Sequence, residues 1–291
     1  MYTQIDSNKR KSLALMILFV VIIAGLVWAW SQYSQSGYYM VIPATIMATG
    51  LSLVSFFAGD KIALSAAGAK AISKEDNPYL WRMVENLSIT AGVTMPKLYI
   101  IEDEAMNAFA TGRDPEHSSI AVTRGLINNL ANEELEGVIA HELSHVKNYD
   151  IRLMMVVIVC VGIITLLADW MMRSFIFRGH SRSDNNNKGN ILVLVGIVLA
   201  ILSPLFAKLI QLAVSRKREF LADASGTLLT RYPEGLAKAL EKISTQNMPL
   251  KKANKATAHL YISNPFKNSG LSKLFSTHPP IAERIKALRS M

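Results

Sequence analysis

Two histidines one helical turn apart, with a glutamate beside the first, are the residues of this chain best suited to chemistry: His141-Glu142-Leu143-Ser144-His145. Side chains at i and i+4 share a helix face, so both imidazoles can reach one zinc ion at about 2.0–2.1 Å each. Glu142 falls to the side of the metal, where its carboxylate can hold a water. Zinc lowers the pKa of such a water toward about 7, and a carboxylate can take its proton. The expected chemistry is attack on a peptide carbonyl polarised by the metal, with Glu142 returning the proton to the leaving amine. The pattern fixes three positions and arises by accident in roughly one chain in a hundred of this length. Its place on a well-patterned helix raises its weight. That helix is expected to open near Asn132, a good cap, with Glu133 and Glu134 at its positive end, and to continue through Leu135, Val138 and Ile139.

A catalytic zinc takes three protein ligands and keeps a position open for water. The candidate third ligand is Glu219, in Arg218-Glu219-Phe220-Leu221-Ala222-Asp223. Asp223, one turn on, can accept the other ring N–H of a zinc-bound histidine and fix its tautomer. Taken alone, the segment reads better as a solvated helix face with Glu219 paired to Arg216 or Lys217; the zinc helix changes that weighting. Two imidazoles and a carboxylate suit zinc best, and one ion per chain is expected. The single cysteine, Cys160, excludes an intrachain disulfide and a cysteine-based zinc site.

These residues must be held by a chain that is 51% hydrophobic. The apolar residues gather in uninterrupted runs, as membrane segments do. Residues 13–30 and 38–59 carry no charge before Asp60 and predict two spans joined by a short turn. Lys9, Arg10 and Lys11 precede the pair, Lys61, Lys70 and Lys74 follow it, and Ser31 to Gly37 is uncharged, so both ends are expected in the cytoplasm. A second apolar pair, about 153–168 and 191–207, encloses a loop with Arg173, Arg178, Arg182 and Lys188 against Asp184. It reads as two spans, a shallow re-entrant hairpin or a buried helical pair. The net charge of +9 lies largely beside apolar runs, with no basic-aromatic stripe, so no nucleic-acid partner is expected.

Between the membrane pairs, Asn77-Pro78 predicts a capped helix through Leu80, Val84, Leu87 and Ala91, with Gly92 as its stop. Lys97 to Ile101 and Ser118 to Thr123 read as strands, with a third, more exposed strand over Asn107 to Gly112. After the last apolar run, helices are expected to Leu229, from Glu234 to Ser244, and from Pro280 to Leu288. The expected fold class is α+β, mostly α. A membrane hairpin (residues 1–60) precedes a gluzincin-like catalytic domain (residues 61–291) with a small β-sheet, interrupted by the second apolar pair.

The chain resembles the HtpX group of membrane zinc peptidases, heat-shock relatives of the CAAX prenyl proteases. The resemblance spans essentially the whole chain. It rests on the hairpin, Asn107-Ala108-Phe109-Ala110, the zinc helix, Glu219 to Asp223, and Thr277-His278-Pro279-Pro280 with Arg284, with no departure at a catalytic position. It implies that His141, His145 and Glu219 bind zinc and that Glu142 is the general base. It also implies that Asn107 lies on an edge strand that pairs with substrate backbone, and that His278, with Arg284 nearby, stabilises the tetrahedral intermediate. Without it, Asn107 reads as a turn residue, His278 as a loop-to-helix junction and Arg284 as a surface charge. His117, His180 and His259 read as surface histidines. The implied role is quality control of unfolded or damaged membrane proteins in the bacterial inner membrane, with the site facing the cytoplasm. The alternative is a non-enzymatic membrane scaffold with a structural zinc site. Oligomeric state is not legible.

Overall fold

The computed structural model describes residues 2–34, 39, 41–157, 160, 216–246, 248–252, 260–263 and 279–291. Two long helices open the chain, α1 (Tyr2–Ser34) and α2 (Val41–Ala67), and they pack along one another. By length and composition α2 can cross a membrane, with a mean hydropathy of 1.8 over its most apolar stretch. It does not stop at the end of the apolar run. It continues through Asp60 and Lys61 because Ala63, Leu64 and Ala67 are buried in the core beyond. The second apolar pair lies outside the described residues, except for the start of its first run, where residues 150–157 are helical.

After strand β1 (Ala69–Ala71) comes α3 (Pro78–Ala91). Asn77 caps it, accepting the Leu80 N–H at 3.0 Å, and Gly92 ends it at a left-handed φ of 67°. Strands β2 (Lys97–Ile101), β3 (Ala108–Asp114) and β4 (His117–Thr123) complete a four-stranded mixed sheet in the order β1-β2-β4-β3. The pair β2/β4 is parallel; β1/β2 and β3/β4 are antiparallel. The β3/β4 register slips between Gly112 and Asp114. Gly112 takes φ 137°, and a Cβ there would lie 2.3 Å from the His117 carbonyl oxygen, so only glycine fits.

Alternation along the strands separates two cores. Leu98, Ala108, Ala110, Ile120 and Val122 face the core built with α3 and α5. Ile101, Phe109 and Ala121 face the end of α2 with Met154, Met155 and Tyr261. The strand expected to be more exposed, β3, is at the sheet's edge yet buried from Ala108 to Thr111, because α5 covers one face and α2 the other.

Short α4 (Arg124–Asn129) leads to α5 (Asn132–Lys147), the central helix. Its cap is Ala131, one residue before the expected Asn132: Glu134 Oε2 reaches back to the Ala131 N–H at 2.8 Å. The Asn132 side chain instead accepts the Tyr79 hydroxyl at 2.7 Å. Helices α6 (Arg216–Thr230), α7 (Pro233–Thr245) and α8 (Ile281–Leu288) complete the described chain. Both α6 and α7 pack directly on α5. At Gly226 the α6 backbone comes close to α5: a Cβ there would meet the His141 backbone nitrogen at 3.0 Å.

Candidate metal centre

That approach brings the ligand residues together. His141 and His145 project from one face of α5, with Nε2 atoms 3.2 Å apart and ring planes at 89°. Glu219, on α6, stands 3.8 Å from His141 Nε2 and 3.6 Å from His145 Nε2. Ligand atoms about 2.0–2.1 Å from a tetrahedral ion lie about 3.3 Å from one another, so small side-chain adjustments bring all three to bonding distance. The three residues offer ligand atoms within 4.8 Å of one another, all buried.

Both imidazoles are oriented from behind. His141 Nδ1 meets Asp223 Oδ1 at 2.9 Å, and His145 Nδ1 meets Asp150 Oδ2 at 3.0 Å. Each contact places the N–H on Nδ1 and leaves the Nε2 lone pair for a cation. This is the donor set zinc requires, and it fits.

Asp223 sits one turn after Glu219, as the sequence spacing predicts, and Arg284 from α8 grips it with Nε at 2.9 Å and Nη2 at 2.6 Å. Arg284 Nη1 also lies 3.3 Å from Glu219 Oε2. The guanidinium is fully buried, so it faces carboxylates behind the ligands rather than solvent. Burial opposes ionisation of Asp223, but Arg284 and His141 outweigh it and hold the carboxyl well below the usual range.

Asp150 was not singled out from the sequence. It follows the zinc helix at the point where α5 ends: Asn148 is the C-cap and Tyr149 turns the chain with φ 59°. An acid five residues after His145, just past a helix stop, is the signal that could have found it. For His145, burial alone would lower the pKa, but the hydrogen bond to Asp150 and the charge of Glu219 push it up to about 9.

Glu142 is buried beside the ligands, and burial pushes its pKa up. The backbone of Ala110, on the edge strand β3 that α5 covers, counters a little of that rise. Asn107 lies one residue before β3 and is buried. Its amide pairs with the chain's own Ser263, donating from Nδ2 to the carbonyl at 2.9 Å and accepting from the N–H at 3.3 Å. His278, His180 and His259 lie outside the described residues, and His117 is exposed and paired with Asp114 at 2.7 Å.

A helix carrying His141 and His145, a carboxylate ligand from a later helix and a small mixed sheet beside them define a zinc metallopeptidase. The chain belongs to Peptidase family M48, which it matches over residues 74–291. It is 46% identical over 290 residues to a protein named "Protease HtpX homolog" from Dictyoglomus turgidum, covering 100% of this chain and 94% of that one. Proteins of the same name from Tropheryma whipplei and Lactobacillus helveticus are 44% identical over 293 residues and 45% over 301, covering 100% of this chain and 98% and 100% of theirs. The fold is similar to that in the crystal structure of S. mikatae Ste24p, with a TM-score of 0.51 and 19% identity, covering 99% of this chain and 67% of that one. The chain is thus a membrane metalloprotease with zinc as its cofactor and proteins as its substrates.

Proposed function

We propose that the chain hydrolyses peptide bonds in unfolded or damaged membrane proteins, as a multi-pass enzyme of the bacterial inner membrane with its site facing the cytoplasm. The carrying observation is the meeting of a buried His141, His145 and Glu219 set with a buried Glu142 beside it, on a helix that covers the edge strand β3. Zinc held by those three residues supplies a polarised carbonyl and an acidified water. Glu142 takes a proton from the attacking water and returns it to the departing amine. Asp223 and Asp150 hold the two imidazoles in register, and Arg284 keeps Asp223 ionised by its charge. His278 is assigned to the developing oxyanion by the resemblance alone.

The β3 edge suits an extended backbone as substrate. Ile262 N–H already bonds Ala108 carbonyl oxygen at 3.1 Å, so strand-like pairing at this edge is part of the fold. Pairing through backbone reads few side chains, which supports broad action on unfolded segments; Asn107 stands where that pairing begins. On this reading the chain divides into a membrane hairpin (1–60) and a catalytic domain (61–291), with α2 carrying the hairpin's last turns into the domain core.

Purified full-length protein with zinc is expected to cleave casein. Glu142→Gln is expected to keep its zinc and lose cleavage, and a chelator to abolish the activity. Full activity in the Glu142→Gln protein would overturn the mechanism. Bound zinc with no cleavage of casein or of membrane substrates would favour a structural site.

A further inference from the structure

The first helix reaches the metal centre. Along α1, the residues buried on one face are Asn8, Ser12, Leu15, Phe19 and Ile23, a single helical stripe. Four of these are apolar or hydrogen-bond within α1. Asn8 differs: its Nδ2 donates both hydrogens out of the helix, to Asn148 carbonyl oxygen at 2.9 Å and to Asp150 Oδ1 at 2.8 Å. Both partners are acceptors, so the nitrogen's position in the amide is determined by chemistry. The other oxygen of Asp150 meets His145 Nδ1. Asn8 Oδ1 is buried and without a hydrogen-bond partner among the described residues. A residue needed only for packing would be better served by an apolar side chain, which buries no unpaired carbonyl.

We propose that Asn8 is a positioning residue for the metal centre. Its amide ties the turn after α5 to the Asp150 carboxylate, fixing the angle at which Asp150 holds His145. Zinc affinity then depends on how α1 is docked. Lys9, with Nζ 4.4 Å from the Tyr149 ring centre, braces the same turn. The inference rests on the zinc-peptidase reading, which the wild-type arm of the test examines separately.

The test measures zinc affinity by chelator competition and the visible spectrum of the cobalt-substituted protein, using the full chain in detergent. Asn8→Leu keeps the size and removes the donors; Asn8→Asp keeps the shape and sets a carboxylate against Asp150. Both are expected to weaken zinc binding by about tenfold, the low end for a group behind a metal ligand, and to alter the cobalt spectrum. Ser12→Ala, in the same stripe but bonded only to Asn8 carbonyl oxygen, is expected to stay within about twofold of wild type. Unchanged affinity and spectrum in Asn8→Leu and Asn8→Asp would overturn the proposal. So would an equal loss in Ser12→Ala, because packing of α1 would then explain the effect. Failure of the wild type to bind one zinc would instead overturn the zinc-peptidase reading itself.

Discussion

The two imidazoles of the metal centre are backed by similar carboxylates that are themselves held in different ways. Behind His141, Asp223 is gripped twice by the guanidinium of Arg284, with all three groups buried. Behind His145, Asp150 is held by the neutral amide of Asn8, with Arg218 at 3.7 Å. Charge is balanced tightly on the first side and loosely on the second. The first side comes from α6 and α8, the second from the α5 turn and α1. The first side should therefore carry more of the domain's stability, and the second should be the more adjustable.

The most damaging change should be on the tightly balanced side. Arg284→Met leaves Asp223 and Glu219 without their guanidinium in a fully buried site. Breaking such a network by removing one partner costs about 3–5 kcal/mol. A large drop in the midpoint of denaturant unfolding is expected; a loss below about 1 kcal/mol would show that the two sides are equivalent. Next comes Asp150→Asn, which keeps the shape but removes the charged acceptor of His145. Zinc affinity is expected to fall about 10–100-fold, with a smaller change in unfolding midpoint than in the Arg284 variant. The reverse ranking would invert the comparison.

This asymmetry also separates what the sequence makes legible from what it hides. The His141 side is local: ligands and carboxylate repeat at i and i+4 on two helices, a period that spacing reveals. Glu219 and Asp223 lie on one face, and Gly226 continues that face toward α5. The β2 and β4 strands and the Asn77 cap are legible for the same reason, as short-range patterns. Asp150 is hidden because its direction depends on the left-handed turn at Tyr149, and a single tyrosine does not announce a positive φ. Asn8 is hidden because its partners are 140 and 142 residues away. Burial of β3 is hidden likewise, since it is imposed by α5 and α2 from outside the strand. Arg284 reads as a surface charge until α8 is placed against α6.

Smaller effects sharpen the comparison further. Gly226→Ala inserts a methyl 3.0 Å from the His141 backbone nitrogen. It should push α6, and with it Glu219 and Asp223, away from the zinc helix. Overpacking of this kind costs about 1–3 kcal/mol, and the cobalt spectrum should shift as the Glu219 ligand moves. An unchanged spectrum would mean that the backbone absorbs the methyl elsewhere and that the α5–α6 approach does not set ligand geometry.

The smallest effect concerns a carboxylate on the same helix α5 whose partner lysine lies open to water. Glu134 accepts Lys242 Nζ at 2.6 Å and the Ala131 N–H at 2.8 Å, with the lysine side chain 45% exposed. Burial opposes its ionisation, yet the lysine and the backbone N–H hold its pKa below the ordinary 4.5. A depressed folded-state pKa gives stability that is present above the unfolded value and lost as pH falls through the folded one. Because the partner is substantially exposed, the contribution should be only about 0.5–1 kcal/mol. Glu134→Gln is therefore expected to lower the melting temperature slightly at pH 7, and the difference from wild type should shrink as pH falls below the ordinary 4.5 and vanish once the folded-state carboxyl is protonated. A difference that persisted in acid would assign the effect to the shape of the helix cap rather than to charge. It would also remove Glu134, with its solvent-exposed lysine partner, as the reference against which Asp223 and Asp150 are compared.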